Sequence, residues 1–420
     1  MNTLADFYDL MAATVTIRRD LVSYYLIDVA KPTRLEALRE VHKRLTAAPT
    51  DGEGRLILTD DEGREVPIQA DYEILELEKD LHFFENGEAS FASFLNGIHP
   101  RFGEETKELV DFLRDAAPRE GTSPTDSGGT ETIPPHGFDL FITDRDGTVN
   151  NYCARYRSSV QSAYNAVFLS RFGSTLPERP IILTSAPLQD LGIVDLTVMP
   201  DNTYVLAGSK GREYRDLSGA RIALPVTELE ERKLTELNSR LEEFLEEPRN
   251  RIFGFIGSSL QKKHGETTVA RQDVNASVPE AESERFKEQV RAAIDELNDD
   301  AEYFRLDDTG KDLEIIPTIS GGTEADEPRH FDKGDGVAFL AESLNRDLED
   351  KQVLICGDTS SDVPMVRKAL ELGAQVATVF VTTDPELQSA VRAAGAKAHF
   401  VSTPDVLVSG LDLVAKGNDA

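Results

Sequence analysis

Four short and almost wholly apolar runs, "FDLFIT", "RPIILTS", "KQVLICGD" and "QVATVFVT", recur beyond residue 137 between stretches of helical periodicity. A strand that is apolar on both faces has to be covered on both, so a sheet built from such strands needs helices above and below it. The pattern predicts an α/β fold with a doubly wound parallel sheet. In such sheets ligands bind beyond the carboxyl ends of the strands. The first run ends in Asp144-Arg145-Asp146, the second in Thr184-Ser185, and the third in Asp358 with Asp362 shortly after. A single aspartate after a strand usually caps a helix or makes a turn. That reading weakens when three strand ends converge on one crevice.

The segment before the sheet has a different texture. "TLADFYDLMAATV" places Leu4, Phe7, Met11 and Val15 on one helical face, with Thr3 as N-cap. "TRLEALREVHKRL" carries a capping box at Thr33 and Glu36 ahead of a stripe of Leu35, Leu38, Val41 and Leu45. "RLILTDDEGREVPIQ" reads as a hairpin around Glu62-Gly63, and "SFASFLNGI" and "EETKELVDFLRDAA" return to the helical period. Residues 1–117 are therefore expected to form a mainly helical domain. Residues 118–137, rich in Pro, Gly, Ser and Thr with almost nothing to bury, read as a flexible linker.

At 420 residues the chain exceeds what one core can hold, since single cores stop growing at roughly 250–300 residues. Its net charge of -31 repels nucleic acid and anionic membranes, so neither is an expected partner. A salt-rich cytoplasm would explain so much acid; solubility alone is the other explanation. Any site for an anionic ligand has to be locally positive. The N-terminus has acids in place of a basic leader, and no apolar run approaches the ~18–20 residues of a membrane span, which points to a soluble, cytoplasmic protein. Cys153 and Cys356 form neither a disulfide framework nor a CxxC site.

"DRDGT", "LTSAP", the lysine of "FDKGDGVAFL" and "GDTSSDVPM", in this order between Phe138 and Met365, resemble the four motifs of the haloacid dehalogenase superfamily of phosphotransferases. The resemblance implies Asp144 as nucleophile and Asp146 as general acid and base. It gives Ser185, with Thr184 as the alternative, a hydrogen bond to a phosphoryl oxygen, and Lys333 the stabilisation of the same charge. It implies Mg2+ as cofactor, held by Asp144, the backbone carbonyl of Asp146 and Asp358, with Asp362 acting through water. Such chemistry suits these residue types: a phosphate ester dianion resists water, and an aspartyl-phosphate divides its hydrolysis into two easier steps.

The interval from Ser185 to Lys333 is far longer than one crossover needs and predicts an inserted cap. The core would then comprise 138–215 and 329–420, and the α/β cap 216–328. Within the cap, "RIFGFIGSS", "TTVARQDV" and "DLEIIPT" read as strands, and "ELEERKLTELNSRLEEFLEE" and "EAESERFKEQVRAAIDELN" as two helices covering one face of a sheet. "YVLAGSKGREYRD", which contains Lys210, resembles a segment of trehalose-6-phosphate phosphatases. In that family a cap strand pair carries a lysine and a His-Tyr-Arg run that bind sugar and phosphate, and Lys263 and Arg271 stand at the corresponding places. The helical N-terminal domain and "DRDGT…NNYCARY…NAVFLSRF" are most similar to the nematode type of the family. Departures are Arg145 between the aspartates, "SAP" in place of "SGR", and Ala270 in place of the tyrosine. The resemblance implies hydrolysis of a phosphorylated sugar, trehalose-6-phosphate. Alternatives are the phosphate of another glycosyl osmolyte precursor, a phosphosugar mutase, or a non-catalytic phosphosugar sensor. None of these patterns bears on the oligomeric state.

Overall fold

A computed structural model describes residues 1–60, 62–117, 136–216, 218–298, 302–318 and 331–417. The expected linker, 118–137, lies outside the described residues except for His136 and Gly137. The N-terminal part comprises α1 (Leu4–Tyr25), α2 (Pro32–Thr46), a hairpin of β1 (Leu56–Thr59) and β2 (Glu65–Ile68), α3 (Asp71–Ile98) and α4 (Phe102–Ala116). Thr3 caps α1 in a capping box with Asp6. The capping box expected at Thr33 and Glu36 does not form. Pro32, whose ring already holds a helical φ, starts α2 two residues earlier, and the N-cap is Lys31 without a side-chain bond. The helix α3 is broken at Gly87 (φ 75°, ψ 169°), and its first half is a helix that the sequence reading passed over.

The core sheet has eight strands in the order β14-β13-β12-β3-β4-β5-β6-β7. These are β3 (Leu140–Thr143), β4 (Ile181–Leu183), β5 (Val205–Gly208), β6 (Glu213–Arg215), β7 (Arg221–Ala223), β12 (Gln352–Gly357), β13 (Gln375–Val381) and β14 (Lys397–Val401). The four runs named above supply β3, β4, β12 and β13, all parallel, and the sheet ends in an antiparallel β5-β6-β7 edge. Successive strand residues face opposite sides. Phe141, Leu354 and Cys356 pack with α5 (Ala163–Ser174) and α12 (Pro404–Lys416), whereas Leu140, Ile142, Val353 and Ile355 pack with α9 (Lys333–Ser343) and α10 (Val363–Glu371). Two smaller helices, α6 (Ile193–Leu196) and α11 (Pro385–Ala393), complete the core.

The apolar cluster around α5 and α12 continues without a break into α1, α3 and α4. Phe91 lies 4.8 Å from Tyr164 and Phe83 lies 5.6 Å from Phe168, measured between ring centroids. Aromatic pairs of this kind add about 0.5–1.5 kcal/mol each to their burial, so the helical part is bonded into the core's own interior.

The insertion folds as α7 (Glu228–Glu246), β8 (Leu260–Lys263), β9 (Glu266–Ala270), α8 (Glu280–Leu297), β10 (Phe304–Asp308) and β11 (Asp312–Pro317). Its antiparallel sheet, β10-β11-β9-β8, carries α7 and α8 on one face. Two details differ from expectation. The strand β7 pairs with β6, so the core sheet runs past the boundary placed at 216. "RIFGFIGSS" contains a short 3-10 turn at Arg251–Gly254 where a strand was expected, because Phe253 turns inward to stack on Phe286 with ring centroids 4.0 Å apart.

Candidate active site

In the parallel ladder of β3 and β12, Thr143 sits opposite Cys356, so the chain leaves both strands at one level and delivers Asp144 and Asp358 side by side. Helix α9 begins at Lys333, its N-terminus capped by Asp332, and this start aims the lysine into the same crevice. Lys333 Nζ donates to Asp144 Oδ1 at 2.5 Å and to Asp362 Oδ1 at 2.6 Å. The other oxygen of Asp362 accepts the N–H groups of Asp358 and Thr359 at 3.0 and 2.9 Å, which fixes the turn after β12. Thr148 donates to Asp358 at 3.0 Å, and the Tyr152 hydroxyl does so at 2.5 Å. One carboxylate oxygen from each of Asp144, Asp358 and Asp362 falls within a 4.8 Å group.

Crowding of this kind is electrostatically costly. Burial pushes Asp144 up to about 7, a rise that Lys333 opposes and Asp362 reinforces. Burial, then Asp144 and Asp362, drive Asp358 well above the usual carboxylate range. Burial by itself would lower the Lys333 ammonium, but Asp144 and Asp362 outweigh it and hold the group above its ordinary range.

Asp146 is held separately. Arg145, the departure between the two aspartates, is buried and donates to the Asp146 carboxylate and to Ser159, while the Ser159 hydroxyl reaches Asp146 Oδ1 at 3.1 Å. Gly147 makes the following turn at φ +86°. A Cβ there would fall 2.3 Å from Asp358 Oδ2 and 2.4 Å from the Tyr152 ring.

Asp144, Asp146, Ser185, Lys333 and Asp358 line one cleft of about 400 Å³, closed on the far side by the cap. Three lysines, Lys263, Lys311 and Lys333, line it beside six carboxylates, Asp144, Asp146, Asp273, Asp312, Glu314 and Asp358, so the cleft is not locally positive by formal charge as the sequence reading expected of an anion site. Thr184 lies beside Ser185 at the wall. On the cap side, β8 and β9 are registered Gln261↔Thr268 and Lys263↔Glu266, so Gln261, Lys263 and Thr268 face the cleft together.

Two sequence expectations are corrected here. Arg271 does not reach the cleft. It continues the parity of Thr267 and Val269, which face the helices, and its guanidinium bonds Ser283 and Glu284 of α8 and Asp308 of β10. Lys210 is buried behind the lining. Ser209 and Lys210 both take left-handed backbone (φ 52° and 59°), and the turn sends the lysine to Glu266 at 3.1 Å and Glu314 at 2.9 Å. Of these, Glu314 lines the cleft, so Lys210 meets it through an ion pair.

The sequence reading missed Tyr152, Tyr156, Ser159, Gln261, Gln272, Asp273 and Glu314. The first three follow the Asp144 motif closely, and that proximity was the available signal; the others come from the cap, where only register decides which side chains face inward. Tyr156, Thr268 and Asp273 line the cleft, and their Oη, Oγ1 and Oδ2 atoms are buried with no hydrogen-bond partner among the described residues. Burial raises both cysteine thiols above their ordinary range. Among the described residues no helix is long and apolar enough to cross a membrane.

Residues 141–407 match the family described as Trehalose-6-phosphate phosphatase, C-terminal, and residues 3–98 match Trehalose-6-phosphate phosphatase N-terminal helical bundle domain. The chain belongs to the trehalose-6-phosphate phosphatase family. A trehalose-phosphatase of Caenorhabditis elegans is 35% identical over 73% of this chain and 67% of its own. One from Caenorhabditis briggsae is 33% identical over 80% of this chain and 79% of its own. An alpha,alpha-trehalose-phosphate synthase [UDP-forming] of Aphelenchoides avenae is 30% identical over 98% of this chain, which spans about a third (32%) of that relative's length. Membership of the trehalose-6-phosphate phosphatase family accounts for the order in which the four motifs occur, and for a helical bundle ahead of an α/β core.

Proposed function

We propose that this protein is a Mg2+-dependent phosphoric monoester hydrolase that converts trehalose-6-phosphate to trehalose and phosphate. The observation that carries the reading is the meeting of Asp144, Lys333, Asp358 and Asp362 at the floor of a cleft whose opposite wall is polar cap surface. Family membership supports the substrate. So does the polar cap wall, where Gln261, Lys263, Gln272 and Glu314 offer donors and acceptors to a ligand rich in hydroxyl groups.

The residues fit a hard divalent cation: three clustered carboxylates, two of them pushed upward by burial and then by mutual repulsion. Asp144 and Asp358, with the backbone carbonyl of Asp146, would hold Mg2+, and Asp362 would support the set. Bound there, the ion supplies charge neutralisation of the phosphoryl oxygens.

Asp144 attacks phosphorus, and the ester P–O bond breaks as the Asp144 Oδ–P bond forms. Asp146 gives its proton to the departing sugar alkoxide. Water then attacks the aspartyl-phosphate while Asp146 takes a proton from it, returning Asp144 as carboxylate and releasing phosphate. Lys333 and Ser185 hold the phosphoryl oxygens during both steps. Lys263 on the cap reads the substrate, and Glu314, held by Lys210, is placed to accept sugar hydroxyls.

Phosphate release from trehalose-6-phosphate, sucrose 6-phosphate, glucosylglycerol phosphate and an aryl phosphate tests the assignment, with Asp144→Asn as control. Release from trehalose-6-phosphate, abolished by Asp144→Asn, is the expected result. Cleavage of another glycosyl phosphate alone would keep the mechanism and replace the substrate. Binding with no release from any ester would sink the hydrolase reading.

A further inference from the structure

The first half of α3 does more than pack. Its residues Tyr72, Glu73 and Glu76 meet the loop 150–159 that follows the Asp144 motif and contributes Tyr152, Cys153, Tyr156 and Ser159 to the cleft. Glu73 Oε1 accepts from Ser158 Oγ at 2.6 Å and from Arg155 Nη2 at 3.0 Å, and Glu76 Oε1 accepts from Asn151 Nδ2 at 3.1 Å. Tyr72 completes a relay. Asn150 Nδ2 donates to the Tyr72 hydroxyl at 3.0 Å and to Ser159 Oγ at 3.3 Å. Arg145 Nη1 also donates to Ser159 Oγ, at 3.2 Å. Asn150 and Arg145 both donate to the Ser159 oxygen, and the Ser159 hydroxyl, itself within hydrogen-bond reach of Tyr72, reaches Asp146 Oδ1 at 3.1 Å.

We infer that Tyr72 of the N-terminal helical part is a positioning residue for catalysis, setting the Asp146 carboxylate through Asn150 and Ser159. The inference rests on the reading of Asp146 as general acid and base. It gives the helical part a function at the reacting atoms beyond its contribution to the core. Tyr72 lies outside the cleft lining. Its effect belongs to the chemical step, because a carboxyl group that must protonate one oxygen and deprotonate another is sensitive to its angle.

The test uses the full chain and trehalose-6-phosphate. Tyr72→Phe keeps the ring and removes only the hydroxyl that receives Asn150. It is expected to lower kcat roughly three- to tenfold, the scale of one neutral hydrogen bond, with KM changed less than about twofold and the melting temperature maintained. In an Asp146→Asn background the same substitution should have no further effect, because the group it positions is gone. A loss that persists in that background, or one seen as a raised KM with a lowered melting temperature, would overturn the inference in favour of packing. Wild-type kcat in Tyr72→Phe beside an impaired Asp146→Asn would overturn it too, and leave the proposed chemistry standing. Wild-type kcat in Asp146→Asn itself would remove the parent reading. Should Tyr72→Phe fail to fold, Ser159→Ala breaks the relay at its other end and is judged by the same kcat loss and the same absence of effect beside Asp146→Asn.

Discussion

Lys263 and Arg271 stand on opposite faces of one cap sheet. Lys263 lines the cleft and pairs with Glu266 at 3.2 Å, whereas Arg271 is turned to α8 and bonded to Asp308 and Glu284. Two residues that sequence alone treats as equivalent ligands therefore separate into one that lines the cleft, the substrate reader proposed above, and one that braces the cap. Lys263→Ala should lower kcat/KM for trehalose-6-phosphate by roughly ten- to a hundredfold, the range of one charge-assisted contact, and affect a small aryl phosphate far less. Arg271→Ala should keep kcat/KM for both esters within about twofold and lower the melting temperature by roughly 2–4 °C. Steady-state kinetics on the two esters, with thermal melts, decide it; equal kinetic losses in the two variants would contradict the assignment of faces.

The cluster of Asp144, Asp358 and Asp362 leads to a second expectation, about metal. Exhaustive chelation should remove activity reversibly without unfolding the chain, and adding Mg2+ should raise the melting temperature by relieving repulsion among the carboxylates. Ca2+ should raise it as well while supporting turnover poorly, because its larger and looser shell disturbs in-line attack. A melting temperature indifferent to both ions would remove the site.

His136 predicts how stability depends on pH. Burial lowers its imidazole to about 4. The geometry shows why: Nδ1 accepts the N–H of Phe138 at 3.2 Å, and Nε2 faces Thr175 Oγ1 at 2.8 Å, whose own hydrogen is committed to the Phe172 carbonyl. A second ring proton would face a donor. Above about pH 6.5 both folded and unfolded forms are neutral and the residue contributes nothing to the pH dependence. Below it the unfolded chain takes up the proton first, so stability falls until about pH 4, by about 3 kcal/mol in all. Comparing denaturant midpoints from pH 7 to 4.5 for the wild type and His136→Asn should show a smaller slope in the variant; parallel slopes would refute the assignment.

At Gly147 two independent constraints coincide, a left-handed φ of +86° and the approach of Asp358 and Tyr152 to where a Cβ would be. Gly147→Ala should reduce turnover at least a hundredfold by displacing Asp358 or the Tyr152 ring, with metal-induced stabilisation weakened in parallel. Retained Mg2+ stabilisation and near-normal turnover would show that the turn has room to yield.

Much of this architecture was legible along the chain because it depends on local patterns. Apolar runs such as "KQVLICGD" have to be buried on both faces, so a parallel sheet follows, and the ends of its strands locate the crevice. Thr3 was readable as an N-cap for the same reason, since its partner Asp6 lies within one turn; at Thr33 the local signal was genuine but Pro32 pre-empted it.

By itself, the sequence determined the α/β class, the strand ends carrying Asp144, Asp146, Ser185 and Asp358, the helix start carrying Lys333, and the presence of a cap. Tertiary structure alone decided which cap side chains look into the cleft, because strand parity places residues on two faces and only register against a neighbour says which face is which: hence Lys263 inside and Arg271 outside. It also decided where the first half of α3 packs. Glu73, Glu76, Lys79 and Asp80, in a stretch that the sequence reading passed over, are buried, and Arg155, Asn151, Asp405 and the N-terminus of α5 receive them. Glu76 and Lys79 pair with each other three residues apart, but Arg155 for Glu73, Asp405 for Lys79 and Arg18 for Asp80 lie far away in the chain.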